Sequence, residues 1–226
     1  MKLTRAAADK ALAAREGAAG DAAEAEALYL TACMHLGRAH ELDSSNAAAL
    51  NNWGASLSKF ARRKGREEAL PLLQESIVKH RSCAAIESAN VEYACNLADT
   101  VAEMAALMCG PESDTLYSEA YGIWEQLLQR LQGPAHLTDR CDAAVNYGNA
   151  LAAHATRLSD EGNRFDGFGW ETRWCCMSRG CRVAAMQGFL AAEQQLAAVV
   201  SLRPNAIEAR LNLADVIRQA AECATG

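Results

Sequence analysis

Histidines are the usual acid–base residues of enzymes, and the five in this 226-residue sequence stand in no catalytic pattern. They lie at positions 35, 40, 80, 136 and 154, without a regular spacing to a nucleophile or a carboxylate. The sequence also lacks a G-x-S-x-G nucleophile turn, a glycine-rich phosphate loop and an H-E-x-x-H metal motif. We therefore predict a protein that is not an enzyme and uses no cofactor.

Cysteine is the other reactive side chain, and nine cysteines are scattered along the chain. An odd number without a regular framework is typical of free thiols in a reducing compartment. We expect an intracellular location, with the cytoplasm favoured and the mitochondrial matrix or plastid stroma left open. Structural zinc uses two closely spaced ligand pairs, which Cys175, Cys176 and Cys181 do not supply. The sequence thus predicts no metal site.

Charge and composition exclude two further classes of function. The net charge is −6, which is unfavourable for binding nucleic acid. No apolar run approaches the roughly 18 residues that a membrane span requires. Half of the residues are hydrophobic and only 6% are aromatic, a balance that favours closely packed helices over sheets.

The hydrophobic spacing predicts helices throughout and no strands, which indicates an all-α fold. Ser113 and Asp114 are the expected N-caps of the helix that follows them. The predicted helices cover residues 2–17, 21–42, 47–64, 66–83, 88–109, 114–132, 137–159, 181–203 and 206–222.

One helix junction recurs near the two ends of the chain. Ala32 precedes Gly54 by 22 residues (54 − 32), and Ala192 precedes Ala214 by the same 22 (214 − 192). In each copy a bulky apolar residue stands directly before the Gly or Ala. The shared spacing indicates repeated helix pairs, in which the small residue allows the second helix to approach the first closely.

These residues resemble the tetratricopeptide repeat, a helix–turn–helix unit with the pattern W-x2-L-G-x2-Y, A-x3-F and P. The likeness is carried by Leu50-x2-Trp53-Gly54-x2-Leu57, Tyr147-Gly148-x2-Leu151 and Leu202-Arg203-Pro204. It implies a right-handed α-solenoid of antiparallel helix pairs, with long and irregular middle repeats.

The resemblance implies a single helical repeat domain over residues 1–226. Three full helix pairs are expected at 47–83, 88–132 and 137–203. N-terminal helices over 2–42 and a C-terminal helix over 206–222 would flank them, and an insertion would occupy 162–181.

Asparagine stands two residues before the Gly or Ala in four copies of the repeat. In tetratricopeptide proteins this position faces the concave groove. The resemblance therefore implies that four asparagines line the groove, namely Asn52, Asn96, Asn146 and Asn212. Asn149, one residue after Gly148, would join them. An asparagine carboxamide pairs with a peptide C=O and N–H together. The resemblance implies a column of asparagines that grips an extended backbone, although the same residues could instead bond to neighbouring helices.

Acidic residues accompany the asparagines at the positions expected to face inward, namely Glu92, Asp99, Glu103, Asp142, Glu208 and Asp215. An acidic wall would favour a basic or polar segment. The alternative is an ordinary solvated helix face. Val145 stands where the family's carboxylate clamp has lysine, so binding of a partner's acidic C-terminus is not expected.

Aromatic residues are concentrated in the predicted insertion, at Phe165, Phe168, Trp170 and Trp174. Rigid aromatic side chains in a loop serve as docking anchors, or they cover the apolar edge of a repeat. Both roles remain open.

Together these features predict a non-catalytic adaptor or scaffold that binds an extended protein segment in an acidic, asparagine-lined groove. A fixed structural subunit of a large assembly, docked through the aromatic insertion, is the other version of this hypothesis. The third is a plant-type organellar import receptor that recognises basic presequences, because such receptors resemble this chain in their lengthened repeats and in Asn52-Trp53-Gly54.

Overall fold

The structure is a computed structural model that describes residues 22–166 and 172–225. Every regular element in these two ranges is helical, which confirms the predicted all-α class. The chain divides into two compact units, Met1–Leu107 and Met108–Gly226. The helix predicted over 2–17 lies outside the described residues.

The first unit contains α1 (Ala22–Leu42), α2 (Ala47–Ala61), α3 (Arg66–Ile86) and α4 (Val91–Leu107). Each of these helices packs on the next, and α2 also contacts α4. Asn46 caps α2, because its side-chain Oδ1 accepts a hydrogen bond from the amide of Ala49 at 2.9 Å. Gly65 lies directly before α3, at its N-cap position.

The second unit contains α5 (Pro111–Arg130), a 3-10 turn (Pro134–His136), α6 (Leu137–Asp166), α7 (Thr172–Leu202) and α8 (Ile207–Thr225). Sequential helices pack here as well, and α6 also contacts α8. The predicted helix pair over 88–132 thus contributes α4 to the first unit and α5 to the second.

Several helix boundaries differ from the prediction, most clearly at the start of α5 and on both sides of the expected insertion. Helix α5 begins at Pro111 rather than near Asp114, since Gly110 supplies the cap at a φ of 73° and proline suits the first helical position. The insertion expected over 162–181 is largely helical, because α6 continues to Asp166 and α7 begins at Thr172.

Glycine allows two pairs of neighbouring helices to approach closely, α2 with α3 and α6 with α7. A Cβ added to Gly54 on α2 would lie 2.7 Å from the imidazole of His80 on α3. A Cβ on Gly148 of α6 would lie 3.0 Å from Cγ of Leu196 on α7. The close approach that the repeat resemblance implies at Gly54 and Gly148 is therefore present.

Candidate functional site

In the second unit, α6 and α8 run in the same direction and are joined by two side-chain hydrogen bonds. Asn212 Nδ2 donates to Asn149 Oδ1 at 2.9 Å, and Thr156 Oγ1 donates to Gln219 Oε1 at 3.0 Å. The second bond lies seven residues, or two helical turns, beyond the first on both helices. We call this surface the α6–α8 face.

The asparagine pair of the α6–α8 face retains hydrogen-bonding capacity. Asn149 is exposed and Asn212 is half-buried. Within the described residues, Nδ2 of Asn149 and Oδ1 of Asn212 form no hydrogen bond. A donor and an acceptor therefore stand side by side, the combination that a peptide C=O and N–H require. Asn146, the other asparagine predicted on α6, is half-buried.

In the first unit, α2 and α4 carry a similar pair, but it is internal. Asn96 Nδ2 donates to Asn51 Oδ1 at 2.9 Å, and Asn51 Nδ2 donates to Glu92 Oε1 at 3.2 Å. Asn51 is only 1% exposed. Asn96 thus bonds to a neighbouring helix, as the alternative reading of the sequence allowed, whereas the half-buried carboxamide of Asn52 forms no hydrogen bond within the described residues.

The sequence prediction did not include Asn51, Thr156 or Gln219. Asn51 is the neighbour of the predicted Asn52, and only the packing of α2 shows which of the two amides points inward. The seven-residue spacing between Asn149 and Thr156, repeated between Asn212 and Gln219, was the available signal.

Several of the predicted acidic residues are paired with cations of the chain itself. Glu103 accepts from the guanidinium of Arg62, and this bond raises the pKa of Arg62 above its ordinary value. Asp142 lies 3.9 Å from Arg203, and Asp215 accepts from Arg218. These pairs reduce the negative potential that the sequence suggested. Asp99 is half-buried, and Glu208 is exposed.

A groove of about 180 Å³ opens beside the second bond of the α6–α8 face. Its walls are residues of α6 and α8, and its floor is Phe189 of α7, which is 2% exposed. The lining residues are Thr156, Ser159, Asp160, Phe189, Gln219, Glu222 and Cys223. We call it the Asp160 pocket.

A carboxylate, an imidazole and a phenol form a chain of hydrogen bonds between α5 and α6. His154 Nε2 lies 3.1 Å from Asp114 Oδ1, and its Nδ1 lies 3.0 Å from the hydroxyl of Tyr121. Burial raises the pKa of Tyr121 and lowers the pKa of His154. The raised pKa disfavours the phenolate form of Tyr121, and the two hydrogen bonds join α5 to α6.

The aromatic anchors predicted from the sequence are not described in detail. Phe168 and Trp170 lie outside the described residues. Phe165 and Trp174 belong to α6 and α7, but their side chains also lie outside the described part. The docking and covering roles expected for these four residues stay predictions.

Residues 22–166 and 172–225 contain no group of three or more His, Cys, Asp or Glu side chains positioned to hold a metal ion. None of the helices in the same ranges combines the length and hydropathy needed to cross a bilayer.

The class of protein that this geometry defines is an all-α chain with a polar face on parallel helices. No family model, curated protein or solved structure matches the chain. The likeness to tetratricopeptide repeats therefore rests on the sequence motifs and stays a prediction, as does the right-handed winding of the helix pairs.

Proposed function

We propose that this chain is a non-catalytic adaptor, similar to tetratricopeptide proteins, that binds an extended segment of a partner protein on its α6–α8 face. The observation that carries the proposal is the exposed Asn149–Asn212 pair with its free donor and acceptor. Two such groups bind a peptide backbone in extended conformation without reading the side chains.

Hydrogen bonds to a backbone contribute modestly one by one. A net of about 1 kcal/mol for each bond corresponds to a fivefold change in affinity, so two asparagines account for more than a tenfold change. A weak and exchangeable complex is the expected behaviour, which suits an adaptor.

The test uses mixtures of acetylated and amidated nonapeptides passed over the immobilised full chain. Wild-type protein should retain extended peptides, and the double variant Asn149→Ala, Asn212→Ala should retain more than about tenfold less. Asn205→Ala is the matched control, because Asn205 is an exposed asparagine of the same unit in the turn before α8. Equal retention by all three proteins, or none by the wild type, would refute the proposal.

A second candidate function, a fixed subunit of a large assembly, is favoured by exposed apolar side chains. Ile207 and Leu211 stand one turn apart on α8 and are 73% and 66% exposed. Apolar surface of this kind is characteristic of a protein interface. The native mass in an extract of its own cells tests this version: migration far above 24.2 kDa that is lost in Leu211→Glu would support it, and migration near 24.2 kDa would contradict it.

A further inference from the structure

The Asp160 pocket has the dimensions of a single side chain. Its volume of about 180 Å³ is below the roughly 300–1,000 Å³ of pockets that take small-molecule ligands. It is also built by three helices of one unit, α6, α7 and α8, rather than by a single loop. Such a pocket suits one protruding residue of a partner better than a cofactor.

The lining of the Asp160 pocket combines an apolar floor with acidic walls. Phe189 forms the floor and is almost fully buried, while the carboxylates of Asp160 and Glu222 are exposed. Glu222 is paired with Arg218, but Asp160 forms no ion pair or hydrogen bond within the described residues. An aliphatic stem that ends in a cation matches this lining, because the stem contacts Phe189 and the cation remains near Asp160 in water.

The side-chain amide of Gln219, which lines the Asp160 pocket, is fixed by hydrogen bonds at both ends. Gln219 Oε1 accepts from Thr156, and Gln219 Nε2 donates to Asp215 Oδ2 at 2.6 Å. A side chain with both ends bonded presents a constant shape to an entering group, and this lowers the ordering cost of binding.

We propose that the Asp160 pocket binds one lysine or arginine side chain of the partner segment, an inference that rests on the proposed function. The pocket adjoins Thr156, which lies two helical turns, or about 10 Å, beyond Asn149. An extended chain covers that distance in about three residues. The partner therefore carries a basic residue about three positions from the residue that Asn149 and Asn212 hold.

The experiment compares nonapeptide mixtures with a fixed central residue, which is arginine, lysine, norleucine or glutamate. The full chain should retain the arginine and lysine mixtures about fivefold more than the norleucine mixture, and the glutamate mixture least. Asp160→Asn should reduce this preference to less than twofold. Asp139→Asn, which makes the same change at another exposed aspartate of α6, should leave the preference intact.

Alkylation of cysteine by iodoacetamide locates the bound peptide independently. Cys223 lines the pocket, whereas Cys109 is an exposed thiol of the same unit outside it. A saturating arginine peptide should slow alkylation of Cys223 severalfold and leave Cys109 unchanged.

Three results would overturn the inference: equal retention of basic and norleucine mixtures, an equal loss in Asp160→Asn and Asp139→Asn, or an unprotected Cys223. If retention in those cases still depends on Asn149 and Asn212, the proposed function stands and only the basic side chain is wrong. If the chain retains no peptide at all, both the inference and the proposed function are wrong.

Discussion

At Gly54 and at Gly148 a glycine allows the next helix to approach closely, but the side chain packed against the glycine differs. In the first unit the residue that enters the space beside glycine is the imidazole of His80, and in the second unit it is the isobutyl group of Leu196. His80 is 1% exposed and Leu196 is fully buried. The space left by glycine thus accepts either a polar or an apolar group of suitable size.

The residues around the two junctions also differ in polarity. Around Gly54, Ser76 Oγ donates to the carbonyl of Gly54 at 2.8 Å and lies 2.8 Å from Ser58 Oγ, while Ser58 lies 3.2 Å from Thr100. Buried hydroxyls in such a network are stable only while each finds a partner. The α6–α7 junction relies instead on Leu196, Val199 and the small residues facing them.

The packing at the Gly54 junction is therefore sensitive to pH, because it includes the imidazole of His80, whereas Leu196 at the Gly148 junction does not titrate. Nδ1 of His80 has no hydrogen-bond partner, and burial lowers the pKa of His80 to about 4. Apolar packing carries no such dependence on pH, because none of its groups titrates.

The largest effect is expected at the apolar junction. Leu196→Ala should destabilise the second unit by about 2–5 kcal/mol, since it removes a fully buried side chain and leaves a cavity. Urea unfolding measures the loss. Leu190→Ala is the matched control on the same helix, because Leu190 is 49% exposed. A cost below about 1 kcal/mol for Leu196→Ala would mean that the two helices collapse onto the space.

The second effect is the dependence of stability on pH in the first unit. The folded-state pKa of His80, about 4, lies below the unfolded value of 6.5, so the unfolded chain binds the proton more tightly. His80 therefore contributes no penalty above pH 6.5, and stability falls by roughly 3 kcal/mol as the pH drops from 6.5 to 4.

The His80→Leu variant isolates the pH-dependent contribution of His80 to the free energy of unfolding. Leucine is the residue at the corresponding junction of the second unit. Urea unfolding of wild type and His80→Leu between pH 4 and 7 should show the largest difference at the acidic end. Other titrating groups are common to both proteins and cancel in the difference. Parallel curves for the two proteins would contradict the assignment.

The third effect tests the close approach itself. A Cβ in Gly54→Ala would meet the His80 ring at 2.7 Å, and we expect a destabilisation of about 1–3 kcal/mol. In a His80→Ala background the same change should cost at least about 1 kcal/mol less, because the obstructing ring is gone. Gly122→Ala, where nothing lies within 4 Å, should instead stabilise α5 by up to about 1 kcal/mol. Equal effects at both glycines would contradict the comparison.

The smallest effect concerns the hydroxyl network. Ser76→Ala removes the donor to the Gly54 carbonyl and should cost about 1–2 kcal/mol, because buried acceptors lose their partner. Ser82→Ala on the same helix is the control, since Ser82 is exposed and bonds only within its own turn. If denaturation midpoints of the two variants coincide, the network contributes nothing to stability.

The prediction of helices succeeded because periodicity, capping and turn residues are local properties. Five of the eight predicted helices in the described part begin within one residue of the observed start, as α1, α2, α3, α6 and α8 do. The three exceptions are α4, which begins at Val91 rather than at residue 88, α5, which begins at Pro111, and α7, which begins at Thr172.

The candidate site was predictable only in part. Asn149 and Asn212 were predicted from the resemblance to tetratricopeptide repeats, and their pairing on the α6–α8 face is a property of the folded helices. The same resemblance gives Asn52 and Asn96 equivalent positions, yet Asn96 bonds to the buried Asn51. The sequence alone does not show which of two adjacent asparagines points toward the neighbouring helix, because that depends on the rotation of α2.

The all-α class, most helix starts and the glycines at the two close junctions could be predicted from sequence, because they depend on patterns within a few turns of one helix. The filling of the space at Gly54 by His80 rather than by an aliphatic residue, and the shared pocket of Asp160 and Cys223, depend instead on the packing of separate helices. Both outcomes join residues that are distant along the chain, and the packing of whole helices brings such residues together.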